Sequence, residues 1–329
     1  MLNTAIVGLG WWGRRIVEAV QGRSQHIRFT HAVSLEYDES LSFAQQHQLS
    51  LSTSLEDMLQ DSTIHAVVLA TPHSLHVSQV VAAAKAGKHV LCEKPLAMNQ
   101  KDALKAIQAC QEHGVQLGIG NNRRYYPSMK ALRAMTQTNQ LGKILHIEGS
   151  FSNANSKAKY APWRADTKET PGGPLTATGV HMLDAVVSLA GPISWIHENW
   201  VSQQTAPDPL DVLAAFMQHN NGITSNITTV RASPMFWRFQ VYGTKASAEA
   251  RGEDQLFVHQ LDGSTQIQTF DKTDAILNNN DAFARAITMG EPYPITPEEI
   301  FQVVASFEAT LLSLSENRVV HHSTNSYDL

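Results

Sequence analysis

The feature that most constrains the fold is a glycine pattern near the start of the chain. Residues 4–7 predict a short strand, and residues 14–20 predict a helix because apolar side chains recur there at helical spacing. Between them lies G-x-G-x-x-G, formed by Gly8, Gly10 and Gly13, with Trp11 and Trp12 at variable positions. Such glycines permit a tight turn, a close approach of the backbone to a pyrophosphate and close helix–strand packing, while the helix N-terminus faces the anion. The pattern predicts a dinucleotide-binding turn.

Strands and helices alternate through residues 1–121. Apolar runs predict further strands at residues 29–34, 66–70, 90–92 and 115–119, with helices between them. A continuous apolar run such as residues 66–70 suits a strand that is buried on both faces. This alternation predicts a doubly wound parallel sheet of the Rossmann type, a dinucleotide-binding domain spanning residues 1–121. In such sheets, ligands bind at the carboxyl ends of the strands.

The residue that reads the ribose of a dinucleotide is expected about 20 residues after the glycines. Ser34 stands 21 residues after the last of them, and Glu36 follows two residues later. The serine leaves room for a 2′-phosphate, but residues 29–39 contain three acids and no Arg or Lys, and like charge disfavours a phosphate. Arg14 and Arg15, at the helix start, are the candidate cations for such a phosphate. The balance favours NAD narrowly over NADP.

Two further strands end in residues that favour a ligand site. Residues 66–70 run into Thr71-Pro72 and His76, and residues 90–92 end in Glu93-Lys94-Pro95. Lysine is rarely buried and proline cannot continue a ladder, so the second of these strands delivers an ammonium group to the edge of the sheet. Taken alone, Glu-Lys-Pro would be interpreted as an ordinary surface turn, and the motifs upstream of it favour the ligand site.

Residues 122–329 follow a different pattern and predict a second domain of the α+β class. Turn signals such as Asn-Asn-Gly at residues 220–222 separate successive strands, which favours an open, mostly antiparallel sheet. The predicted strands cover residues 143–153, 195–202, 210–219, 223–231 and 236–242. The predicted helices include residues 128–136, 274–289 and 297–316.

The chemically richest stretch of this half is a glycine- and proline-containing loop at residues 171–174, followed by an apolar helix that runs through residue 189. His181 and Asp184 stand three residues apart and share a face of this helix. One interpretation is a histidine that transfers a proton; the other is a histidine held by Asp184 for the stability of the helix alone. Aromatic and guanidinium groups form a candidate pocket wall that could bind an anion at two points: Tyr160, Trp163 and Arg164, with Arg123 and Arg124 as a second anchor.

Together these motifs resemble the glucose–fructose oxidoreductase / inositol dehydrogenase / MocA-like (Gfo/Idh/MocA) family in order and spacing, over nearly the whole chain. The matching residues are the glycine turn, Thr71-Pro72 with His76, Glu93-Lys94-Pro95, and Gly172-Gly173 followed by Gly179-x-His181-x-x-Asp184. The resemblance implies an NAD(P)-dependent oxidoreductase of sugars, cyclitols, dihydrodiols or related secondary alcohols. The chain departs from the family pattern at Ala177, where the family has an aspartate that often holds a substrate hydroxyl.

The resemblance also implies roles for individual residues. Lys94 reaches the substrate hydroxyl and forms a cis peptide with Pro95, and His181 accepts the hydroxyl proton, with Lys94 as the alternative acceptor. The implied cofactor site consists of Gly8, Gly10, Trp11, Trp12, Gly13, Ser34, Glu36, Thr71, Pro72, His76, Glu93 and Lys94. The implied substrate site consists of Lys94, Arg124, Tyr160, Trp163, Arg164, Thr178, His181 and Asp184.

Composition limits the partners that the chain is expected to have. With 329 residues, 43% hydrophobic and 17% charged, it is typical of a two-domain globular protein. A net charge of −5 favours neither nucleic acid nor an anionic membrane as a partner. Apolar runs are too short to span a bilayer, and Cys92 and Cys110 provide neither a disulfide framework nor a zinc site. We expect a cytoplasmic protein with a small polar substrate and no metal.

The same sequence patterns leave two alternative functions open and predict a homo-oligomer. A glycosidase that retains its NAD and a dinucleotide-binding sensor without catalysis are the alternatives; the presence of both Lys94 and His181 counts against the sensor. Bulky residues occur on both faces of the strands predicted within residues 210–242. They are Phe216, Phe236, Trp237 and Phe239. As the resemblance implies packing through this sheet, we expect a homodimer or homotetramer.

Overall fold

A computed structural model of the chain describes residues 1–153, 163, 166–203, 211–231 and 233–321. The chain divides into two compact units. The first consists of Met1–Asn122 with Asp274–Ile300, and the second consists of the described residues of Arg123–Thr273 with Phe301–Leu329. The first unit therefore takes in a segment that returns late in the chain.

The first unit is built around a six-stranded sheet. Its strands are β1 (Leu2–Val7), β2 (Ile27–Val33), β3 (Ser50–Ser52), β4 (Ala66–Leu69), β5 (His89–Cys92) and β6 (Leu117–Ile119). The spatial order is β3-β2-β1-β4-β5-β6, and every pair is parallel, which confirms the predicted doubly wound sheet. The helices between the strands are α1 (Trp11–Val20), α2 (Tyr37–Gln46), α3 (Leu55–Gln60), α4 (His76–Lys85) and α5 (Gln100–Glu112).

The centre of this sheet is apolar on both faces. All four residues of β4 are buried, as a strand covered by helices on both sides requires. Helix α5 begins directly after Asn99, whose side chain caps it by accepting a hydrogen bond from the backbone N–H of Asp102. The carboxyl ends of β1, β2, β4, β5 and β6 consequently lie along one edge, where the predicted polar residues follow them.

The second unit contains a nine-stranded sheet within the described residues. Its elements are α6 (Pro127–Gln137), β7 (Ile144–Asn153), α7 (Val180–Ala190), β8 (Ile193–Ser202), β9 (Asp211–His219), β10 (Thr224–Arg231), β11 (Phe236–Gly243), β12 (Ala246–Arg251), β13 (Gln255–Gln260), β14 (Thr265–Thr269), α9 (Pro297–Glu316) and β15 (Val320–His321). Between β14 and α9 the chain forms α8 (Ala275–Met289), which belongs to the first unit.

The strand order of this sheet is β14-β13-β12-β11-β7-β10-β9-β8-β15. Strands β7 and β10 pair in parallel, and the other pairs are antiparallel. The prediction of an open, mostly antiparallel sheet is confirmed. The sequence patterns predict none of the four strands β12 to β15. Strand β15 has two residues, and β14 is exposed along its whole length, which removes the alternating apolar signal.

The two faces of this sheet differ in burial. Trp237 and Phe239 on β11 are buried at 2% and 0% exposure, whereas Phe236 on the same strand is 42% exposed and Phe216 on β9 is 43% exposed. Bulky side chains therefore lie on both faces of the sheet, as the sequence indicates. Phe216 and Phe236 are exposed to solvent in the single chain. No helix within the described residues has the length and apolar character to cross a membrane.

Candidate active site

The glycine turn between β1 and α1 has the geometry that its sequence predicts. Gly8 adopts φ +93°, and a Cβ there would lie 2.7 Å from the carbonyl oxygen of Ala70. A Cβ at Gly13 would collide with the carbonyl oxygen of Gly8, so the helix reaches the turn only because residue 13 has no side chain. A Cβ at Gly10 would meet no atom within 4 Å. Two glycines thus shape the turn, and the third borders open space.

The turn fits the pyrophosphate of a dinucleotide. Helix α1 has no side-chain cap at its N-terminus and no acidic residue in its first turn, so its first N–H groups are available to an anion beside Gly10. Trp11 is 67% exposed at the first helical position. The indole Nε1 of Trp12 is buried and has no hydrogen-bond partner among the described residues. An orphaned donor and an uncapped helix at the same turn suit a phosphate acceptor.

The end of β2 presents a carboxylate that accepts a hydrogen bond from Ser34. Ser40 donates a hydrogen bond to Ser34 Oγ at 2.9 Å, and Ser34 Oγ donates to Glu36 Oε2 at 3.2 Å. Ser34 is buried, whereas Glu36 and Leu35 are exposed. Ser34 therefore fixes the acid two residues downstream, so an anionic group lies two residues after the position expected to read a ribose.

The two arginines at the start of α1 are already engaged. Arg14 donates to the carbonyl oxygens of Leu9 at 2.9 Å and Glu39 at 2.8 Å, and its guanidinium lies 5.2 Å from the Phe43 ring centre. Arg15 pairs with Glu18 in an exposed ion pair at 3.2 Å. Arg14 thus ties the glycine turn to α2, which leaves it poorly suited to bind a 2′-phosphate.

His76 joins the two polar turns that follow β4 and β5. It is fully buried, with Nδ1 2.7 Å from the carbonyl oxygen of Pro95 and Nε2 3.1 Å from that of Thr71. The Thr71 hydroxyl donates to Gln79 Oε1 at 2.6 Å, and Pro72 precedes a single 3₁₀ turn. The motif residues Thr71, Pro72 and His76 therefore meet the Glu93-Lys94-Pro95 turn within the first unit.

The Lys94 turn is held from two sides. The Glu93 N–H extends the β5–β4 ladder by donating to Leu69 O at 2.9 Å, and the Lys94–Pro95 peptide is cis, which confirms the expectation from the resemblance. Lys94 is half-buried, and its own N–H lies 3.3 Å from Glu93 Oε2. The Glu93 carboxylate lies against the backbone of Gly120 at the end of β6. The backbone hydrogen bond of Glu93 and the position of its carboxylate together fix the point at which the chain turns away from β5 at Lys94.

In the second unit, the structure pairs Asp184 with Arg124 rather than leaving either free. Arg124 Nε lies 3.0 and 2.9 Å from the two carboxylate oxygens, and Nη2 lies 2.7 Å from Oδ1. The side chains are 6% and 1% exposed. This is a buried, two-point ion pair between α7 and the turn before α6, so Asp184 is the counterion of Arg124 and Arg124 is committed to it.

His181 lies one turn before Asp184 on α7. It is buried at 7% exposure, and its ring meets Phe151 of β7 edge-on at 6.2 Å between centroids. A π-helical turn, Leu175–Gly179, leads into α7, and within it the Thr178 hydroxyl donates to the Pro174 carbonyl at 2.8 Å. Thr178 is therefore buried in the helix start with its hydroxyl used locally.

The remaining predicted pocket residues are only partly described. Trp163 is half-buried, and its carbonyl accepts a hydrogen bond from Asp166 N at 3.2 Å. Tyr160 and Arg164 lie outside the described residues. Within the described part of the chain, no group of three or more His, Cys, Asp or Glu side chains is placed to hold a metal ion.

Gly120, beside the Lys94 turn, is not among the predicted site residues. It follows β6, and its only sequence signal is its place at the carboxyl end of a strand. Arg123, which the sequence predicts as an anion anchor together with Arg124, has its guanidinium over the rings of Tyr126 and Phe151, each 5.0 Å from the ring centre. Sequence spacing alone does not show which of two adjacent arginines is already paired.

Comparison with known proteins accounts for both units. Residues 2–121 match the NAD-binding Rossmann-fold model of the Gfo/Idh/MocA oxidoreductase family, and residues 129–249 match the model of the family's C-terminal domain. The chain belongs to the Gfo/Idh/MocA family. It is thus an NAD(P)-dependent oxidoreductase, in a family whose named relatives include dehydrogenases of xylose and of scyllo-inositol.

Individual Gfo/Idh/MocA relatives align over most of the chain. D-xylose 1-dehydrogenase (NADP(+)) 2 of Haloferax volcanii is 25% identical over 323 residues, covering 94% of each chain. scyllo-Inositol 2-dehydrogenase (NADP(+)) IolU of Bacillus subtilis is 25% identical over 329 aligned residues, covering 96% of this chain and 92% of that protein. The structure of levoglucosan dehydrogenase in complex with NADH and levoglucosan superposes with a TM-score of 0.87 at 19% identity, covering 98% and 99% of the two chains, which shows a shared fold.

Proposed function

We propose that this chain is a dehydrogenase that transfers hydride between a nicotinamide cofactor and a secondary alcohol of a small polar substrate such as a sugar, cyclitol or dihydrodiol. The observation that carries the proposal is the glycine turn of the first unit. Gly8 and Gly13 close the turn through contacts that no side chain could share, while Gly10 and the uncapped α1 leave room for a phosphate. The first unit would hold the dinucleotide, and the second would bind the substrate.

The chemistry divides between the cofactor and two side chains of the protein. The bound nicotinamide supplies the hydride acceptor, and the protein manages the proton and the charge. His181 accepts the hydroxyl proton, because imidazole has a working pKa close to neutrality. Lys94 stabilises the developing alkoxide as a fixed cation. In the alternative assignment, Lys94 is a neutral amine and accepts the hydroxyl proton itself. Asp184 is neutralised by Arg124, so it contributes to the site by anchoring α7.

The environment of Ser34 and Glu36 supports NAD as the cofactor. The Glu36 carboxylate is placed by Ser34 at the end of β2, where it would accept hydrogen bonds from the ribose hydroxyls and repel a 2′-phosphate. Arg14 is engaged by two backbone carbonyls and a phenyl ring, so it does not offset that repulsion. The named relatives include both NADP(+) enzymes and an NADH complex, so the chain's own residues carry this preference.

The open face of the second unit's sheet supports a homodimer or homotetramer. Phe216, Phe257 and Ile267 align across the strands by register on one face, and Phe216 and Ile267 are exposed. Phe236 lies on the same face and is also exposed. Burying such residues against a second copy is favourable at about 25 cal/mol per Å² of apolar surface. Light scattering at micromolar protein should therefore give twice or four times the mass of the chain, and a monomer would contradict the assembly.

The test of the function is a search for nicotinamide reduction. Purified protein is incubated with NAD or NADP and a panel of sugars, cyclitols, dihydrodiols and hydroxy acids, and absorbance of the reduced cofactor is followed. We expect stoichiometric reduction of NAD with at least one substrate. Product formation without net reduction of added cofactor would indicate an NAD-retaining glycosidase instead. Tight dinucleotide binding without turnover of any kind would indicate a sensor.

A further inference from the structure

Arg123 is a cation in an aromatic cage without a polar partner. Its guanidinium carbon lies 5.0 Å from the ring centres of Tyr126 and Phe151 and 5.7 Å from that of Trp237. Its Nε is buried, and the side chain makes no hydrogen bond or ion pair to any described residue. A guanidinium carries five N–H donors, and burying unsatisfied donors is costly. The three aromatic rings therefore fix the Arg123 guanidinium in place and leave its N–H groups without acceptors among the described residues.

The acid that lines the cavity beside Arg123 is already paired with another arginine. Arg124 and Asp184 line this small cavity, of about 10 Å³, and form an ion pair with each other. Burial lowers the pKa of Arg123 to about 10, and the charge of Glu253 partly opposes that shift, so the side chain stays protonated at neutral pH. An unpaired cation in this position attracts an anion.

Arg123 lies close to the proposed proton acceptor within the second unit. The Phe151 ring contacts both groups, since His181 meets it edge-on at 6.2 Å and the Arg123 guanidinium lies over it at 5.0 Å. Residues 170–183, which lead into the His181 turn, contain no acidic residue. The Arg123 guanidinium is therefore separated from His181 by the Phe151 ring, and residues 170–183 offer it no carboxylate.

The accessible part of Arg123 is the part that can bind an acid. The residue is half-buried, and Nε is its only nitrogen that is both sealed from solvent and without a partner among the described residues. The two terminal nitrogens therefore reach solvent, and their fork geometry matches the two oxygens of a carboxylate. The aromatic rings fix the orientation of the fork, which reduces the entropy lost on binding.

We propose that Arg123 binds a carboxylate of the substrate, so that the enzyme acts on a polyhydroxy acid, aldonic or uronic, and disfavours neutral sugars and cyclitols. This inference rests on the proposed dehydrogenase function. It names the substrate class of that site and assigns its specificity to one residue. A hydroxyl of the acid would lie near His181 while the carboxylate lies on the terminal nitrogens of Arg123.

The experiment compares acids with matched neutral amides. Aldonic and uronic acids of five to seven carbons, and the primary carboxamide of each, are assayed for NAD reduction and, separately, for binding to the protein with NADH by calorimetry. We expect at least one acid to exceed its amide about 10- to 100-fold in kcat/KM and in affinity, the range for hydrogen bonds to a charged group. Arg123→Met should reduce that ratio to within a few-fold, mainly by raising KM for the acid.

Two further variants separate this role from general effects of charge. Arg251→Met removes another arginine that lies over an aromatic ring, 4.3 Å from the centre of Phe257, and should leave the acid preference intact. Arg123→Lys keeps the charge and loses the fork, so it should retain only part of the preference. The melting temperature of each variant verifies that the fold is preserved.

The outcomes are distinguishable from failure of the dehydrogenase proposal. Binding of an acid that depends on Arg123, without any cofactor reduction, supports the carboxylate site and contradicts the dehydrogenase. Equal or better use of neutral amides or sugars overturns the carboxylate site while the dehydrogenase stands. Preference for a sugar phosphate over the acids overturns it too, as does the absence of Arg123-dependent binding by every acid tested.

Discussion

The carboxylate of Glu93 occupies the space in which a side chain at Gly120 would begin. An ideal Cβ on Gly120 would lie 2.5 Å from Glu93 Cδ, Oε1 and Oε2 alike. The two residues are adjacent across the sheet, because the Gly120 N–H donates to Cys92 O at 2.8 Å and Glu93 follows Cys92. The absence of a side chain at the end of β6 therefore allows the acid beside Lys94 to fold inward, which positions the Lys94 turn.

We predict that Gly120→Ala displaces the Glu93 carboxylate and lowers kcat about 100-fold, the cost of a misplacement of roughly 1 Å at a reacting group. NADH affinity and KM should change less. Shortening the acid in the double variant Glu93→Asp/Gly120→Ala should recover much of kcat, because the carboxylate is withdrawn from the new methyl group. As a control, Gly114→Ala places a Cβ in open space at φ +63°, so it should affect stability alone. If the loss of kcat in the double variant equalled the product of the losses in Glu93→Asp and Gly120→Ala, the proposed contact between the two residues would be contradicted.

Glu36 is expected to set the cofactor preference. Glu36→Gln removes the charge that would face a 2′-phosphate, and it should raise NADP affinity about 10-fold, in line with one unit charge at a partly exposed site. NAD affinity should fall slightly, as the amide is a weaker acceptor for the ribose hydroxyls. Asp38→Asn removes the same charge from the exposed first turn of α2 and provides the control. Equilibrium titration by cofactor fluorescence gives both constants; an unchanged NADP affinity in Glu36→Gln would count against the assignment.

The Arg124–Asp184 pair is expected to serve stability. Asp184→Asn leaves a guanidinium that is 6% exposed without its counterion, and breaking a buried pair in this way typically costs about 3–5 kcal/mol. Glu18→Gln breaks the exposed Arg15–Glu18 pair and should change stability by less than about 1 kcal/mol. Denaturant unfolding of the three proteins measures both effects. If Asp184→Asn were as stable as Glu18→Gln, the pair would have no structural role.

Glu198 on β8 predicts a pH dependence of stability. Burial raises the pKa of this carboxyl well above its ordinary value, and neither oxygen has a hydrogen-bond partner among the described residues. Below about pH 4.5 the acid is protonated in both folded and unfolded chains, so it costs nothing. As the pH rises above that value, the unfolded carboxyl ionises while the folded one retains its proton, so stability falls, by about 1.4 kcal/mol for each tenfold difference in proton affinity.

Glu198→Gln should remove this dependence. The variant should melt close to the wild-type temperature near pH 4 and above it at neutral pH, with a gap that opens as the pH rises through about 4.5 and stops widening once the folded carboxyl ionises. Glu112→Gln, which changes an exposed carboxyl at the end of α5, should show no such gap. Calorimetric scans across that pH range measure the effect, and a constant offset between Glu198→Gln and wild type would rule out titration of Glu198 as its cause.

The sequence predicts the parallel sheet well because each of its signals is local. The apolar run of β4, the Asn99 cap of α5 and the glycine turn each specify their own element without reference to distant residues. Strand β3 is missed, since it has three residues, two of them serine. The parallel pairing of β7 with β10 is missed as well, because no local pattern indicates which of several alternating strands become neighbours.

The candidate site is predictable in its residue types and less so in its pairings. The positions of His76, Lys94 and His181 follow from motif and spacing, but the partners of the arginines depend on tertiary geometry. Arg14 was a candidate for a phosphate and instead braces the glycine turn. Arg124 was a candidate for the substrate and is paired with Asp184, which leaves Arg123 as the available cation.

The most direct test of the account is the rate of hydride transfer in single turnovers of Lys94→Ala and His181→Ala, measured beside NADH affinity and melting temperature. A missing proton-transfer group costs about 100- to 10,000-fold. Each variant should lose at least 100-fold in rate and keep its NADH affinity, and the double variant should be far less than multiplicatively slower, because the two groups act as a unit. A His181→Ala enzyme that transfers hydride at the full rate and only melts earlier would contradict the proposed chemistry.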